Sequence, residues 1–580
     1  MISIVKVWAI IMGNFRIQKI LRFLTIICYI LIFVSVVTSP HFEAAQPNPY
    51  FQFNNMPMAY WIGVLTSIAA SLLSIFSQRE DSNQALGLSA LFSLVLFTNV
   101  IPKLMYRNQI WLDTYPYVCE VVHILNTNHI GSGHALETPA LGLFTSQLSL
   151  FTGLNYIVIV EFIPLLIPSI LFLFVYLLAK LIVGRRAAVI AVLVYIAINS
   201  FGLWFMRDDL ALIIQLVTLY SFTKLMMSPA RSWYVIMLLS YGSLTLCHPG
   251  ASLSTLVVMI SPLILMWARP VIFKLIKKNH QDSVSVFFGK KKLFQLILVP
   301  ALIWSSWYSI IQHLGFITGR LYLIWKVLPE GPASMMSSSG YTPVYYNIVT
   351  LTFYELVIGT VIGSILILYY IFMRKFDWKL EMLSSWFISA MFSIAVLFLI
   401  QLTQYTGGFF LCSFPALGML VGYFVVELDH KSVKRILAVT AKAALLTAIL
   451  FFILILPLTM YANMAFVYPP TSTLQFDDFL TKRASGSVGV IGGHEDVTSY
   501  AVINDAKAGF SIGIFSTNTS IMPYNIIAIT YRAYAKDAYN RFQPSMTQSL
   551  DELEKRLTTD QTFGFARIYV SDKWHAIYTK

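Results

Sequence analysis

The sequence predicts a polytopic α-helical membrane protein, with about 13 transmembrane helices and a small C-terminal α/β domain outside the membrane. The chain has 580 residues, of which 57% are hydrophobic and 12% are charged, whereas a soluble protein carries roughly a quarter charged residues. Apolar runs of about 18 or more residues recur along the first four-fifths of the chain, and each is long enough to cross a membrane. Basic residues concentrate in every second connection between these runs, which is typical of a multi-pass membrane protein.

The first predicted span, 20–38, follows Arg16, Lys19 and Arg22. It is long enough to stay in the membrane, so we expect a retained anchor and not a cleaved signal peptide. Each later span is an apolar run bounded by charged or turn-forming residues. The remaining candidate spans are 57–76, 85–102, 156–179, 187–204, 211–227, 233–247, 252–268, 293–311, 356–373, 380–402, 407–427 and 436–460.

The alternating basic connections predict the orientation of the chain. The densest of them, 269–292, holds seven Lys and Arg, and the positive-inside rule places it in the cytoplasm together with the N-terminus. The connections 103–155 and 312–355 and the C-terminal domain then lie outside. We expect a prokaryotic cell membrane, or the ER membrane if the organism is a eukaryote. The net charge of +13 reflects this topology, so we expect no nucleic-acid partner.

Residues 463–580 differ in composition from the transmembrane domain, 1–462. They contain eleven Lys and Arg and eleven Asp and Glu, and short strand-like runs alternate with helical patterns. We therefore predict an extracytoplasmic α/β domain. Its predicted elements are strands at 487–493 and 509–515, a hairpin over 567–578, and helices at 495–508 and 546–557. The glycine turn after the first strand lacks the full dinucleotide-binding fingerprint, so it does not indicate a cofactor.

The stretch 111–137 carries the strongest functional signal. Asp113 lies among aromatic residues typical of a membrane interface. The following residues predict two short helices along the membrane surface, at about 119–126 and 141–150. Glu120 and His123 are three residues apart and share one face of the first helix. A charge beside the hydrocarbon layer is costly, so this loop is a candidate active-site floor.

Four more candidate groups fall at the predicted outer face. Asp208 and Asp209 follow Arg207 in a short outer connection, and His248 precedes Pro249 at the outer end of another span. Solvated helix-end charges and a structural histidine would explain these residues equally well. Arg320 and Lys326 lie in the long outer connection 312–355, where they could face an anionic group. We treat all of them as candidate substrate-binding residues.

No metal site is evident from ligand spacing. The histidines at 123, 129 and 134 fit no zinc pattern, although a tri-histidine site stays open as an alternative. The four cysteines likewise form no ligand set. Cys119 and Cys247 both fall near the outer face, so they form either one disulfide or a pair of buried free thiols.

The order of these elements resembles the GT-C superfamily of membrane glycosyltransferases, which use sugars linked to polyprenyl phosphate. The resemblance rests on Leu112-Asp113-Thr114-Tyr115-Pro116-Tyr117 in an outer loop, two juxtamembrane helices, the Arg207-Asp208-Asp209 turn, and Leu246-Cys247-His248-Pro249. It covers most of the chain but concerns layout. The acidic loop follows the third span, where many members have it after the first. The C-terminal residues lack a WWDYG motif, which favours a single-sugar transferase over an oligosaccharyltransferase.

The resemblance implies an inverting glycosyltransferase with Asp113 as the general base. Asp208 or Asp209 would orient the acceptor or a metal ion, and Arg320, with His248 or Lys326, would stabilise the leaving phosphate. The implied partners are a polyprenyl-phosphate-linked sugar, a lipid, glycan or protein acceptor, and membrane lipids. The cofactor is left open, because relatives differ in their need for a divalent cation such as Mg²⁺ or Mn²⁺.

Two other functions fit the same composition. A secondary transporter could use Asp208, Asp209 and His248 as a coupling site, but such sites usually lie near the bilayer midplane between repeated halves. The sequence has no such repeat, and these charges cluster at one face. A non-enzymatic assembly or scaffold subunit is the second alternative, and it gives the acidic loop no particular role.

Overall fold

The computed structural model describes most of the predicted membrane domain and five strands of the C-terminal residues. The described residues are 2–41, 54–76, 81–105, 115–130, 138–198, 207–275, 290–311, 357–370, 378–399, 406–430, 447, 487–491, 511–514, 526–529, 566–571 and 575–579.

Fifteen α-helices are defined in the described part of the chain. In chain order they are α1 (Ile2–Thr38), α2 (Met58–Phe76), α3 (Asp81–Val95), which continues through a π-helical turn (Leu96–Val100) into α4 (Ile101–Met105), α5 (Tyr115–Thr127), α6 (Ala140–Thr152), α7 (Tyr156–Val183), α8 (Arg185–Ile198), α9 (Arg207–Met227), α10 (Arg231–Cys247), α11 (Pro249–Leu275), α12 (Lys290–Ile311), α13 (Val357–Tyr370), α14 (Trp378–Leu399) and α15 (Thr406–His430).

Helices occupy the first twelve predicted spans, and the thirteenth, 436–460, falls almost entirely outside the described residues. Among the described helices, five segments are long and apolar enough to cross a membrane. They are Ile17–Thr38, Met58–Ile75, Asn83–Met105, Tyr156–Val183 and Asp208–Met227. The chain is therefore an integral membrane protein with several spans, and the total of thirteen stays a prediction.

Helix α8 is the centre of the membrane bundle. Its residues from Ala187 to Ala197 are all buried, and it packs against α7, α3 and, most extensively, α15. Two glycines one turn apart let α15 approach closely: a Cβ placed on Gly418 would lie 2.6 Å from the carbonyl oxygen of Ala191, and Gly422 meets Ala187 in the same way. This is the small-residue packing that brings helix backbones together in membranes.

The five strands of the C-terminal residues form one mixed sheet. Its strands are β1 (Ser487–Ile491), β2 (Ser511–Ile514), β3 (Ile526–Ile529), β4 (Ala566–Ser571) and β5 (His575–Thr579). The order is β2-β1-β3-β5-β4, with β1 parallel to β2 and β3 and the other pairs antiparallel.

Four of these strands coincide with the predicted ones, including the hairpin formed by β4 and β5. Strand β3 was not predicted. The two predicted helices, 495–508 and 546–557, lie outside the described residues. The α/β class of this domain, and the boundary at 463, therefore remain predictions.

Candidate functional site

Helices α5 and α6 form the pair of short helices that the sequence predicts after Asp113. They pack against each other because α6 carries a glycine at the crossing. A Cβ on Gly142 would meet Ile124 at 3.2 Å and the Oε2 atom of Glu120 at 3.4 Å. One turn further on, the hydroxyl of Ser146 donates to the carbonyl oxygen of Val121 at 3.4 Å. The two helices are therefore a packed unit.

This unit packs against the ends of the membrane helices. Tyr117 and Val118 of α5, Leu141 of α6 and Val160 of α7 form one buried cluster, against which Leu210 of α9 packs. Helix α6 also contacts α9 and α10. The beginning of α5, the beginning of α6 and the beginning of α9 thus converge at one place.

The two aspartates lie at this convergence. The sequence predicts them in a turn, but α9 begins at Arg207, so Asp208 and Asp209 occupy its first helical turn. The unpaired backbone N–H groups at a helix N-terminus favour a negative charge there. Asp209 is buried, with 5% of its surface exposed, whereas 42% of the Asp208 side chain is exposed. Asp208 is therefore the carboxylate of the pair that a substrate could reach.

Asp208 is paired with His248. The Nε2 atom of His248 lies 2.5 Å from Oδ1 of Asp208, and only 13% of the histidine side chain is exposed. Sequence separation hides this contact, since the two positions are forty residues apart and α9 and α10 separate them. The structure therefore brings together two of the residues that the sequence singles out.

His248 is also the joint between two helices. It ends α10, and its own N–H donates to the carbonyl oxygen of Leu244 at 2.9 Å. Its backbone is extended, and α11 begins directly after it at Pro249. Proline suits this first helical position because the helix requires no N–H there. The Nδ1 atom of His248 accepts a hydrogen bond from the N–H of Ala251 at 3.0 Å, which is the bond made by an N-capping side chain.

These partners assign the proton of the imidazole. A nitrogen that accepts a backbone N–H carries no hydrogen, so Nδ1 is unprotonated and Nε2 carries the proton. Nε2 then donates to Oδ1 of Asp208. Both ring nitrogens of His248 are engaged.

The buried amide of Gln215 contacts the first two turns of α11, the helix that follows His248. Gln215 lies seven residues after Asp208, two helical turns along the same face of α9. Its Nε2 atom lies 2.9 Å from Oγ1 of Thr255, 3.0 Å from Oγ of Ser254 and 3.4 Å from the carbonyl oxygen of Ala251. Sequence reasoning missed this residue, although a polar amide within a transmembrane helix, in register with Asp208, was a usable signal.

The other predicted residues are placed as follows. Glu120 lies partly buried against Gly142, while His123 is exposed on α5. Asp113, Arg320, Lys326 and His134 lie outside the described residues. Within the described ranges, no three His, Cys, Asp or Glu side chains are grouped so that they could hold a metal ion. None of the four cysteines, including partly buried Cys119 and buried Cys247, is in a disulfide.

No known protein family matches the sequence, and no curated protein matches it. Solved structures do resemble the fold. The apo form of the Archaeoglobus fulgidus oligosaccharyltransferase aligns with 83% of this chain and 71% of its own, at 11% identity and a TM-score of 0.50.

Two further structures give somewhat lower scores. The same oligosaccharyltransferase, tethered to an acceptor peptide containing the NVT sequon, aligns with 92% of this chain and 74% of its own, at 12% identity and a TM-score of 0.49. ArnT from Cupriavidus metallidurans, bound to undecaprenyl phosphate, aligns with 90% of this chain and 98% of its own, at 12% identity and a TM-score of 0.47.

A likeness at 11% identity establishes the fold but not the activity. The match to the apo oligosaccharyltransferase confirms, at the level of architecture, the resemblance that the sequence predicts. The chain has the fold of the GT-C membrane glycosyltransferases.

Proposed function

We propose that the chain is an inverting glycosyltransferase, which moves a sugar from a polyprenyl-phosphate donor to an acceptor at the outer membrane face. The observation that carries this proposal is the accessible Asp208 carboxylate. It is held by His248 at the point where the paired helices α5 and α6 meet the bundle. A transferase of this fold needs a carboxylate site beside the membrane surface, whereas a transporter coupling site usually lies near the bilayer midplane and a scaffold subunit requires no carboxylate.

The position of Asp113 in the chain supports its role as the general base. It precedes Tyr117 by four residues, a length that spans at most about 14 Å when fully extended. Tyr117 belongs to the cluster against which Leu210 packs, and Leu210 is two residues from Asp208. This short separation along the chain supports a place for Asp113 near Asp208.

The proposed reaction is a single displacement. The oxygen of the acceptor hydroxyl attacks the anomeric carbon, and the bond from that carbon to the phosphate oxygen breaks with inversion. Asp113 takes the hydroxyl proton, as a carboxylate within hydrogen-bond reach can do. Polyprenyl phosphate leaves, and Arg320 and Lys326 stabilise its negative charge. In this scheme Asp208 orients the acceptor.

The test is transfer from radiolabelled polyprenyl-phosphate hexoses by the purified full-length chain in lipid vesicles. We expect Asp113→Asn to lower the transfer rate by about 10²- to 10⁴-fold, the usual contribution of a general base. The amide is nearly the same size as the carboxylate but cannot accept the proton. Expression and thermal stability should stay at the wild-type level.

Asp81→Asn is the matched control. Asp81 begins α3 just after the end of α2, where the Nε atom of Arg186 donates to the carbonyl oxygen of Ile75 at 3.2 Å. That contact places the end of α2 at the beginning of α8, whereas Asp208 follows the end of α8. The control should transfer at the wild-type rate. Equal transfer by Asp113→Asn and wild type would contradict the assignment, and donor movement across the vesicle without transfer would favour a transporter.

A further inference from the structure

We infer that His248 is a positioning residue for Asp208. One nitrogen of its ring caps the beginning of α11, and the other donates a hydrogen bond to the Asp208 carboxylate. That Asp208 faces an acceptor rests on the proposed function. The two bonds themselves are properties of the folded chain, so they can be tested separately.

The two bonds point in different directions from a rigid ring. Nδ1 accepts from the N–H of Ala251 at 3.0 Å, and Nε2 donates to Asp208. The cap fixes the ring to the beginning of α11, and the ring then fixes the carboxylate. A short capping residue such as Asn could accept the same N–H but could not extend to Asp208. Histidine meets both requirements because its acceptor and donor lie on opposite sides of the ring.

The engagement of both nitrogens argues against direct proton transfer by this histidine. A second proton on the ring would have to enter at Nδ1, where it would remove the acceptor of the Ala251 N–H. If the histidine acted as the base, α11 would lose its N-cap hydrogen bond in each catalytic cycle. The proton of an acceptor hydroxyl is better taken by a carboxylate, with the histidine holding the geometry constant.

The position of Ala251 is fixed from the opposite side as well. Its carbonyl oxygen accepts from Thr255 Oγ1 at 2.7 Å and from Ser254 Oγ at 2.9 Å, and Gln215 contacts the same three residues. Gln215 and Asp208 belong to one face of α9. A closed path therefore runs from Asp208 through His248, Ala251 and Gln215 and back along α9, so a shift of the carboxylate would either break its bond to His248 or move α9 relative to α11.

Two substitutions at His248 test the two hydrogen bonds separately. In His248→Asn the amide oxygen can replace Nδ1 as the cap, while Asp208 loses its donor. In His248→Gln the longer amide can replace Nε2 as the donor, while α11 loses its cap. We expect His248→Asn to keep the wild-type melting temperature and to lose about 100-fold in kcat with little change in KM for the acceptor, the usual effect of a misplaced group.

The Gln variant should show the opposite pattern. We expect a lower melting temperature with kcat within about threefold of wild type, because the lost cap affects stability and the retained donor preserves the geometry. His41→Gln, at an exposed position after the end of α1, is the control and should change neither property. Full activity in His248→Asn, or an activity loss in both variants that simply follows their loss of stability, would overturn the inference.

Solid-state ¹⁵N NMR of the histidine-labelled full-length chain tests the ring without any assay of activity. The His248→Asn spectrum identifies the signals that belong to residue 248. We expect a protonated Nε2 and an unprotonated Nδ1. The opposite tautomer, or a doubly protonated ring at neutral pH, would overturn the inference. A wild-type chain that transfers none of the donor sugars would contradict the proposed function and leave this measurement standing.

Discussion

At the residue scale, the site depends on polar side chains placed where membrane helices begin. Asp208 and Asp209 occupy the first turn of α9, and His248 immediately precedes the first turn of α11. Two helix N-termini thus meet beside one accessible carboxylate, and their partial positive charges stabilise it. Two turns deeper, Gln215 continues the polar contacts between α9 and α11.

We expect Gln215→Ala to lower the free energy of unfolding by about 1–2 kcal/mol, because it removes inter-helical hydrogen bonds and leaves a cavity. The measurement is thermal or denaturant unfolding of the full-length chain in detergent micelles. Gln147→Ala, at an exposed position on α6, is the control and should stay within about 0.5 kcal/mol. Equal stability of the two variants would show that the Gln215 amide does not join α9 to α11.

Sequence reasoning singled out Asp208 and His248 but not the contact between them. Topology alone predicts that Asp208 and His248 share the outer face, because both follow from the alternation of basic connections. Their direct contact depends on the rotation of α9 relative to α10, which no periodicity in the sequence specifies. The role of the His248 ring as a helix cap was equally hidden, since Ser, Thr, Asp and Asn are the usual capping residues.

At the element scale, the predicted spans were placed well because apolar length is a strong signal in a membrane. One start was less accurate. The prediction begins a span at residue 211, whereas the first turn of α9 already holds Asp208 and Asp209. Charged residues at a helix start resemble a loop in sequence. Strand β3 was missed because four residues, Ile526–Ile529, give too short a pattern to stand out beside its neighbours.

We expect Gly418→Ala to destabilise the chain by roughly 1–3 kcal/mol, the usual cost of forcing an extra group into a packed interface. The added methyl group would lie 2.6 Å from the backbone oxygen of Ala191, and a backbone atom cannot move aside as a side chain can. The readout is the melting temperature of the purified chain.

Gly242→Ala is the matched control for this substitution. Gly242 lies within α10, and a Cβ at this position has no atom within 4 Å. Alanine should raise stability here by about 0.5–1 kcal/mol, because it restricts the unfolded chain more than glycine does. If the two substitutions shifted the melting temperature in the same direction, the close contact between α8 and α15 would not be a determinant of stability.

At the scale of the whole molecule, the orientation of the bundle can be tested with described residues at its two ends. His129 follows α5 and is exposed, and Arg231 begins α10 and is exposed. The basic end of this hairpin also carries Lys224, whose Nζ atom lies 5.9 Å from the ring centre of Trp233. Aromatic and basic residues together are typical of a cytoplasmic membrane boundary.

We expect His129→Cys to react with a membrane-impermeant maleimide in intact cells, and Arg231→Cys to react only after permeabilisation. Both changes are made in a Cys119→Ser background, because the other three cysteines are buried. The unsubstituted background serves as the blank and should remain unlabelled. Labelling of Arg231→Cys in intact cells would reverse the orientation and place the Asp208 site in the cytoplasm.

The burial of α8 by other helices affects how the chain enters the membrane during synthesis. Its residues from Ala187 to Ala197 are buried on every side of the helix. Until α15 has been translated, more than two hundred residues later, the Ala187–Ala191 face has no close partner. Its insertion must therefore depend on α7, to which Gly184 joins it directly, and ribosome-stalled chains of increasing length would reveal when α8 becomes protected.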